Sequence, residues 1–273
     1  MDIDVRNGCG FVYQGQDESR DWSEELFPDD VSTIMHLTDN NSSNGCLVEA
    51  VPGAGKSHLV ENMQGRCQRV GMASLTFYAH INGGSRRGTE NALYVLDEFA
   101  KNDPEDSLLI IDNIDYYGYS RRDVKRRYVV AKEHLAVANY LIDWLNDDQT
   151  PDLVATSHDK QWRESHWRYG EKYCDDDVTP VASALLASFD AHHFFKGNVS
   201  QENAVALILK EHPTIEPIDA ERMIEALENV TGQTAYRHIG HVSIDALMSG
   251  GDKLVEEIER VEQRTLELIG TKV

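Results

Sequence analysis

The chain has 273 residues, enough for one large or two modest domains, and its 47 acidic against 26 basic residues give a formal charge of −21. That balance excludes a generally basic protein that coats nucleic acid, so any polyanion must meet a local basic patch. No apolar run approaches the roughly 20 residues of a membrane helix, and the start, with Asp2, Asp4 and Arg6, lacks a signal peptide's apolar segment. A cytoplasmic location without membrane contact is therefore expected. So acidic a surface suits a salt-rich, halophilic cytoplasm in which screening removes self-repulsion, and loss of stability in low salt would mark it. Cys9, Cys46, Cys67 and Cys174 are scattered with no C-x-x-C pair, and are read as reduced thiols.

Residues 1–44 form a polar, acidic lead-in with apolar clusters at Phe11 to Tyr13 and Leu26-Phe27, closed by a loop from Asp39 to Gly45. Apolar runs then alternate with helical stretches: Cys46 to Val51 and Ser57 to Arg69, Ser74 to Ile81 and Glu90 to Lys101, Leu108 to Ile111 and Val129 to Asn146. The alternation continues with Leu153 to Thr156, Val181 to Ala187 and a last strand from His192 to Phe195. Such a pattern predicts an α/β core over 45–197, a parallel sheet flanked by helices. From 198 to 273 only helical periods remain, at Gln201 to Glu211, Asp219 to Val230, Ala235 to Met248 and Asp252 to Ile269. Asp219 is expected to cap the second of these and Gly232 to stop it. In the last helix Leu254, Ile258, Val261, Thr265 and Leu268 form a narrow apolar seam, expected to pack on the protein's own helices.

The first strand runs into Pro52, Gly53, Ala54, Gly55, Lys56, Ser57 and His58, with Ala50 where a phosphate loop usually has its first glycine. Glycines let successive N–H groups turn toward phosphate oxygens, a lysine meets the terminal phosphates, and a serine hydroxyl serves Mg²⁺. The helix that follows points its positive end at the anion. A carboxylate should stand at the tip of a buried neighbouring strand to steady the metal, and Leu108 to Asp112 supplies it.

With these two motifs the chain resembles the AAA+ ATPases, within the P-loop NTPases, from about Gly45 to Met248. The resemblance implies a P-loop NTPase core followed by a small all-helical lid domain, and binding of ATP with Mg²⁺ through Ser57 and Asp112. It also implies a sensor of the terminal phosphate at Thr156-Ser157 and a lid arginine at Arg237. Ala184 to Asp190, followed by His192 to Phe195, looks like the segment leading into the family's last core strand. The family usually has a glutamate after the aspartate, and this chain has Asn113. An amide orients water without taking its proton, and a placed base contributes roughly 10²- to 10⁴-fold, so slow hydrolysis is expected unless Asp115 or another carboxylate substitutes. The arginine that often precedes the family's Phe-Asp pair is Ser188 here, which leaves stimulation between subunits of a homo-oligomer without its usual residue.

Arg121, Arg122, Lys125, Arg126 and Arg127 crowd one segment flanked by tyrosines. Cations can follow a phosphate backbone while rings stack on bases, so contact with nucleic acid stands beside the plainer reading of a solvated, self-paired helix start. The implied work is remodelling or loading of a nucleic-acid or protein complex. A small-molecule kinase, with Arg86, Arg87 and the 121–127 cations on an acceptor phosphate, is the alternative, and a regulatory module that binds ATP without hydrolysing it is a third. His158, His166 and Cys174 fit no familiar metal spacing.

Overall fold

In a computed structural model the described residues are 11–14, 26–39, 44–79, 86–115, 121–122, 128–129, 132–160 and 178–269. Six strands form one sheet: β1 (Phe11–Gln14), β2 (Gly45–Ala50), β3 (Ala73–Tyr78), β4 (Ser107–Asp112), β7 (Asp152–His158) and β8 (Ala191–Phe194). Their spatial order is β1-β3-β4-β7-β2-β8, parallel throughout except for β1, which runs antiparallel along β3. A two-stranded ladder, β5 (Arg121–Arg122) with β6 (Tyr128–Val129), stands apart.

The parallel strands read as unbroken apolar runs because both sheet faces are covered. Alternation divides their side chains. Cys46, Val48, Leu108, Ile110 and Val154 join one core with α1 (Pro28–Asp39), α2 (Lys56–Val70) and the C-terminal helices. Leu47, Leu75, Phe77, Leu109, Ile111 and Ala155 join the other, with α3 (Arg86–Phe99), α4 (Lys132–Leu145) and α5 (Val178–Ala187). Burial pushes the thiols of Cys46 and Cys67 up to about 12, which keeps them protonated and unreactive.

The C-terminal part is α6 (Gln201–Glu211), α7 (Pro217–Thr231), α8 (Tyr236–His241), α9 (Ile244–Ser249) and α10 (Gly251–Ile269). Ser200 caps α6 by accepting from the Asn203 N–H at 3.2 Å, and Gly232 ends α7 at φ 72°. Three details differ from expectation. Asp219 sits in the first turn of α7, and Glu216 takes the capping position, because Pro217 has no N–H to satisfy and fits the first helical residue. The single helix expected from Ala235 to Met248 is two, since the Ser243 hydroxyl accepts from the Ala246 N–H at 3.3 Å and restarts the chain. The acidic lead-in contains α1, opened by Pro28 with Asp29 and Asp30 in its first turn. On α10, Leu254, Ile258 and Val261 are buried in the shared core, so this stretch of the seam serves the protein's own packing.

Candidate nucleotide-binding site

The strand order leads the chain from β2 across the sheet to β3, and β7 later inserts between β4 and β2. The tips of β2, β7 and β4 therefore stand side by side at the carboxyl end of the sheet, where open α/β sheets take ligands. Register aligns Val48 with Thr156 and Ile111 with Ala155, so Thr156 falls between the loop after β2 and the acid that ends β4.

The loop turns back on itself through an Ala54 N–H to Val51 carbonyl bond of 3.3 Å, and Gly53 and Gly55 adopt φ of 79° and 95°. Side chains other than glycine are strained at such angles. Gly55 caps α2 without any side-chain hydrogen bond, and no acidic residue stands in that helix's first turn. The first N–H groups of α2 are thereby left to an anion.

Asp112 is fully buried, and both of its oxygens are held. Ser57 Oγ donates to Oδ2 at 3.0 Å, and Thr156 Oγ1 donates to Oδ1 at 2.6 Å while accepting from the Asn113 N–H at 3.0 Å. A buried carboxylate needs such partners and a nearby cation, since its unpaired charge would cost several kcal/mol (about 3–5). Lys56 supplies the cation. Burial holds its ammonium below the ordinary lysine range, opposed by the charges of Asp115, Asp112 and Asp159. Asn113 itself has φ 58°, a left-handed conformation that asparagine tolerates and glutamate enters at a cost of about 1 kcal/mol. The backbone at this position thus suits the residue that replaces the usual glutamate.

The C-terminal helices touch the loop directly. A Cβ added to Gly53 would lie 3.4 Å from His241 Nε2 and 3.6 Å from Arg237 Cβ, and one on Gly55 would meet the Tyr236 ring at 3.0 Å. His58 is half-buried with its ring edge-on to Tyr236, centroids 5.0 Å apart. Arg237 reaches the loop with its backbone end, and its guanidinium turns to Glu262 on α10, Nε donating to Oε1 at 3.0 Å. His238 Nε2 meets the same oxygen at 2.6 Å.

That shared carboxylate predicts an acid-sensitive contact. Burial first, then the Arg237 charge, hold His238 below the ordinary imidazole value, with Glu262 opposing. Burial pushes Glu262 up, but the His238 hydrogen bond and Arg237 outweigh it and hold the carboxyl below its usual range. Both groups bind protons less readily folded than unfolded. The stability from His238 is complete above about pH 6.5 and lost as pH falls toward its lower folded value, and that from Glu262 is lost at still lower pH. Urea denaturation is expected to show stability falling between about pH 7 and pH 5, and His238→Gln to flatten that slope. Glu262→Ala, which leaves both donors without this acceptor, is expected to cost about 1–3 kcal/mol.

Among the sequence-predicted residues, the structure brings together Lys56, Ser57, Asp112, Asn113 and Thr156 with Pro52, Gly53, Ala54 and Gly55, and places His58 and Arg237 at the rim. Arg121 and Arg122 lie on the β5–β6 ladder, whereas Lys125, Arg126 and Arg127 fall outside the described residues, as do His166 and Cys174. Sequence reasoning missed two partners. His158 lies 2.7 Å from Asp115, and Glu262 holds Arg237; both pairs are too distant in sequence for spacing to reveal.

No protein-family model matches the chain, and no curated protein matches it. Solved structures do. The crystal structure of the FIGL-1 AAA domain in complex with ADP is similar over 93% of this chain and 86% of that one, at TM-score 0.52 and 12% identity. A chain of the E. coli MS115-1 HORMA:CdnC:Trip13 complex is similar over 93% of this chain and 94% of its own length, at TM-score 0.48 and 13% identity. The fold is that of an AAA domain: a five-stranded parallel sheet flanked by helices with a helical part after it. At 12% identity to the FIGL-1 domain, the chain has the AAA+ ATPase fold in a divergent version.

Proposed function

We propose that the protein binds Mg²⁺·ATP and acts as a slow ATPase or nucleotide switch. The observation that carries this reading is the buried Asp112, tied to both Ser57 and Thr156 beneath a glycine loop whose Lys56 is buried beside it. The donor set fits magnesium. Ser57 Oγ and Asp112 Oδ2 are hard oxygens 3.0 Å apart, and no group of His, Cys, Asp or Glu among the described residues forms a metal cage without a substrate. Magnesium takes one or two protein oxygens and completes its shell with phosphates and water. Bound there through Ser57 and Asp112, it would neutralise charge on the phosphates.

In this reading residues 45–197 are the ATPase core and 198–273 the lid, with Tyr236, Arg237 and His241 carrying the lid's response to the phosphate loop. Nucleotide phosphates would compete with Glu262 for Arg237, so binding and release would shift α8 against α10. The Arg121-to-Arg127 segment is the proposed contact with a nucleic-acid or protein complex that the switch loads or remodels. Asn113 favours a second reading, a regulatory module that holds ATP without turnover.

Titration calorimetry with Mg²⁺·ATP, followed by phosphate release with and without DNA or RNA, tests these readings. Heat of binding with slow release, faster with the polymer, is the expected result. Binding without release would leave the regulatory module, and no heat at all would overturn both.

A further inference from the structure

Beside Asp112 the strand tips hold a second buried acid. Asp115, 1% exposed in the turn after β4, lies 2.7 Å through Oδ2 from Nδ1 of His158, the last residue of β7. A carboxylate only accepts hydrogen bonds, so Nδ1 carries the ring's proton and the neutral imidazole keeps its lone pair on Nε2. Strand alternation puts His158 on the same side of the sheet as Val154 and Thr156. That is the side of α2, whose Leu59, Val60 and Met63 share Val154's core. His158 therefore stands two residues, roughly 7 Å, beyond Thr156 toward the ligand end of the sheet. Its side chain is 19% exposed, which leaves it reachable by water. Asp115 is also the carboxylate whose charge acts most strongly on Lys56, so the pair borders the site of the terminal phosphates.

The other titratable groups around β7 leave this pair intact. Asp112 of β4 is committed to Ser57 and Thr156. Glu49 of β2 lies 3.7 Å from His192, and Asp30 of α1 lies 2.8 Å from His193. Asp159 follows His158 in the chain and, like Asp115, acts on the charge of Lys56.

We propose that His158 is the general base for ATP hydrolysis and that Asp115 positions it, an inference that rests on the nucleotide-hydrolysing reading above. Asn113 cannot accept a proton, and a buried acid behind an imidazole is the arrangement that fixes the tautomer and steadies the imidazolium that forms. In the step, a water oxygen bonds to the γ-phosphorus as the bond from phosphorus to the ADP oxygen breaks. The water's proton passes to His158 Nε2, ADP and inorganic phosphate leave, and the imidazolium returns the proton to solvent.

The test combines single-turnover phosphate release, ATP affinity and ring-nitrogen NMR on the full chain. His158→Gln is expected to slow release about 100-fold while ATP affinity stays within about twofold, and to remove the one-proton rise of rate with pH. His158→Ala should be slow and partly restored by added imidazole, which a merely structural role would not allow. Asp115→Asn should weaken the Nδ1–H tautomer signature in the ¹⁵N spectrum and lower the pH of the rise. Unchanged release by His158→Gln with ATP bound overturns the pair alone. A parallel loss of binding and turnover in both His158 variants, with no imidazole rescue, makes the role structural and overturns it too. If the unsubstituted protein binds no ATP, the functional reading falls as well.

Discussion

Replacing Gly197 by alanine is expected to destabilise the protein by roughly 2–5 kcal/mol and to weaken nucleotide binding at the same time. Gly197 follows β8 and has φ 70°, where alanine is strained. A Cβ there would lie 2.1 Å from the carbonyl oxygen of Ala54 and 3.0 Å from its carbon. The obstacle is backbone and belongs to the phosphate loop, so relief requires the loop itself to move. Gly197 also accepts from the Tyr236 N–H at 2.8 Å, which ties α8 to the same point. Gly232→Ala is the control: φ there is 72° with nothing within 4 Å of the added carbon, so it carries the strain alone, about 1 kcal/mol. Urea denaturation of the two variants, with ATP titration of each, checks the result. Equal losses would mean that contact with Ala54 is relieved cheaply.

Lys56→Ala is expected to weaken Mg²⁺·ATP binding at least about 100-fold, or about 2.7 kcal/mol. The substitution removes the cation facing Asp112, Asp115 and Asp159, so the pocket changes from a partly balanced site to one that repels phosphate. Because Lys56 is only 7% exposed, water replaces its charge poorly. The same imbalance should lower the stability of the ligand-free protein near neutral pH, and less so in acid, where the carboxylates take up protons. Calorimetry reads the first effect and denaturation at two pH values the second. ATP affinity unchanged by this substitution would end the reading of the loop as a phosphate cradle.

Local signals carried much of the fold and part of the site. A glycine loop between an apolar run and a helix, and an acid closing another apolar run, are legible because each depends on a few consecutive residues. The alternation of runs from Cys46 to Phe195 likewise implies a parallel sheet, since buried strands need apolar side chains on both faces. β1 was not legible: Phe11 to Tyr13 is too short to distinguish a strand from an apolar cluster, and its pairing with β3 is fixed only by distant partners. α1 was hidden in an acidic lead-in, and its burial of Val31 and Ile34 depends on α2 and the sheet being present.

The sequence by itself determined which backbone can cradle phosphate and which acid can end a buried strand, because chirality, glycine freedom and apolar periodicity act over a few residues. Only the tertiary structure decided the strand order that sets Thr156 between Ser57 and Asp112, the meeting of His158 with Asp115, and the hold of Glu262 on Arg237. Those partners lie from 24 to 99 residues apart, and no local preference encodes such pairings. They arise when packing both faces of one sheet leaves a single arrangement in which the buried charges find their counterparts.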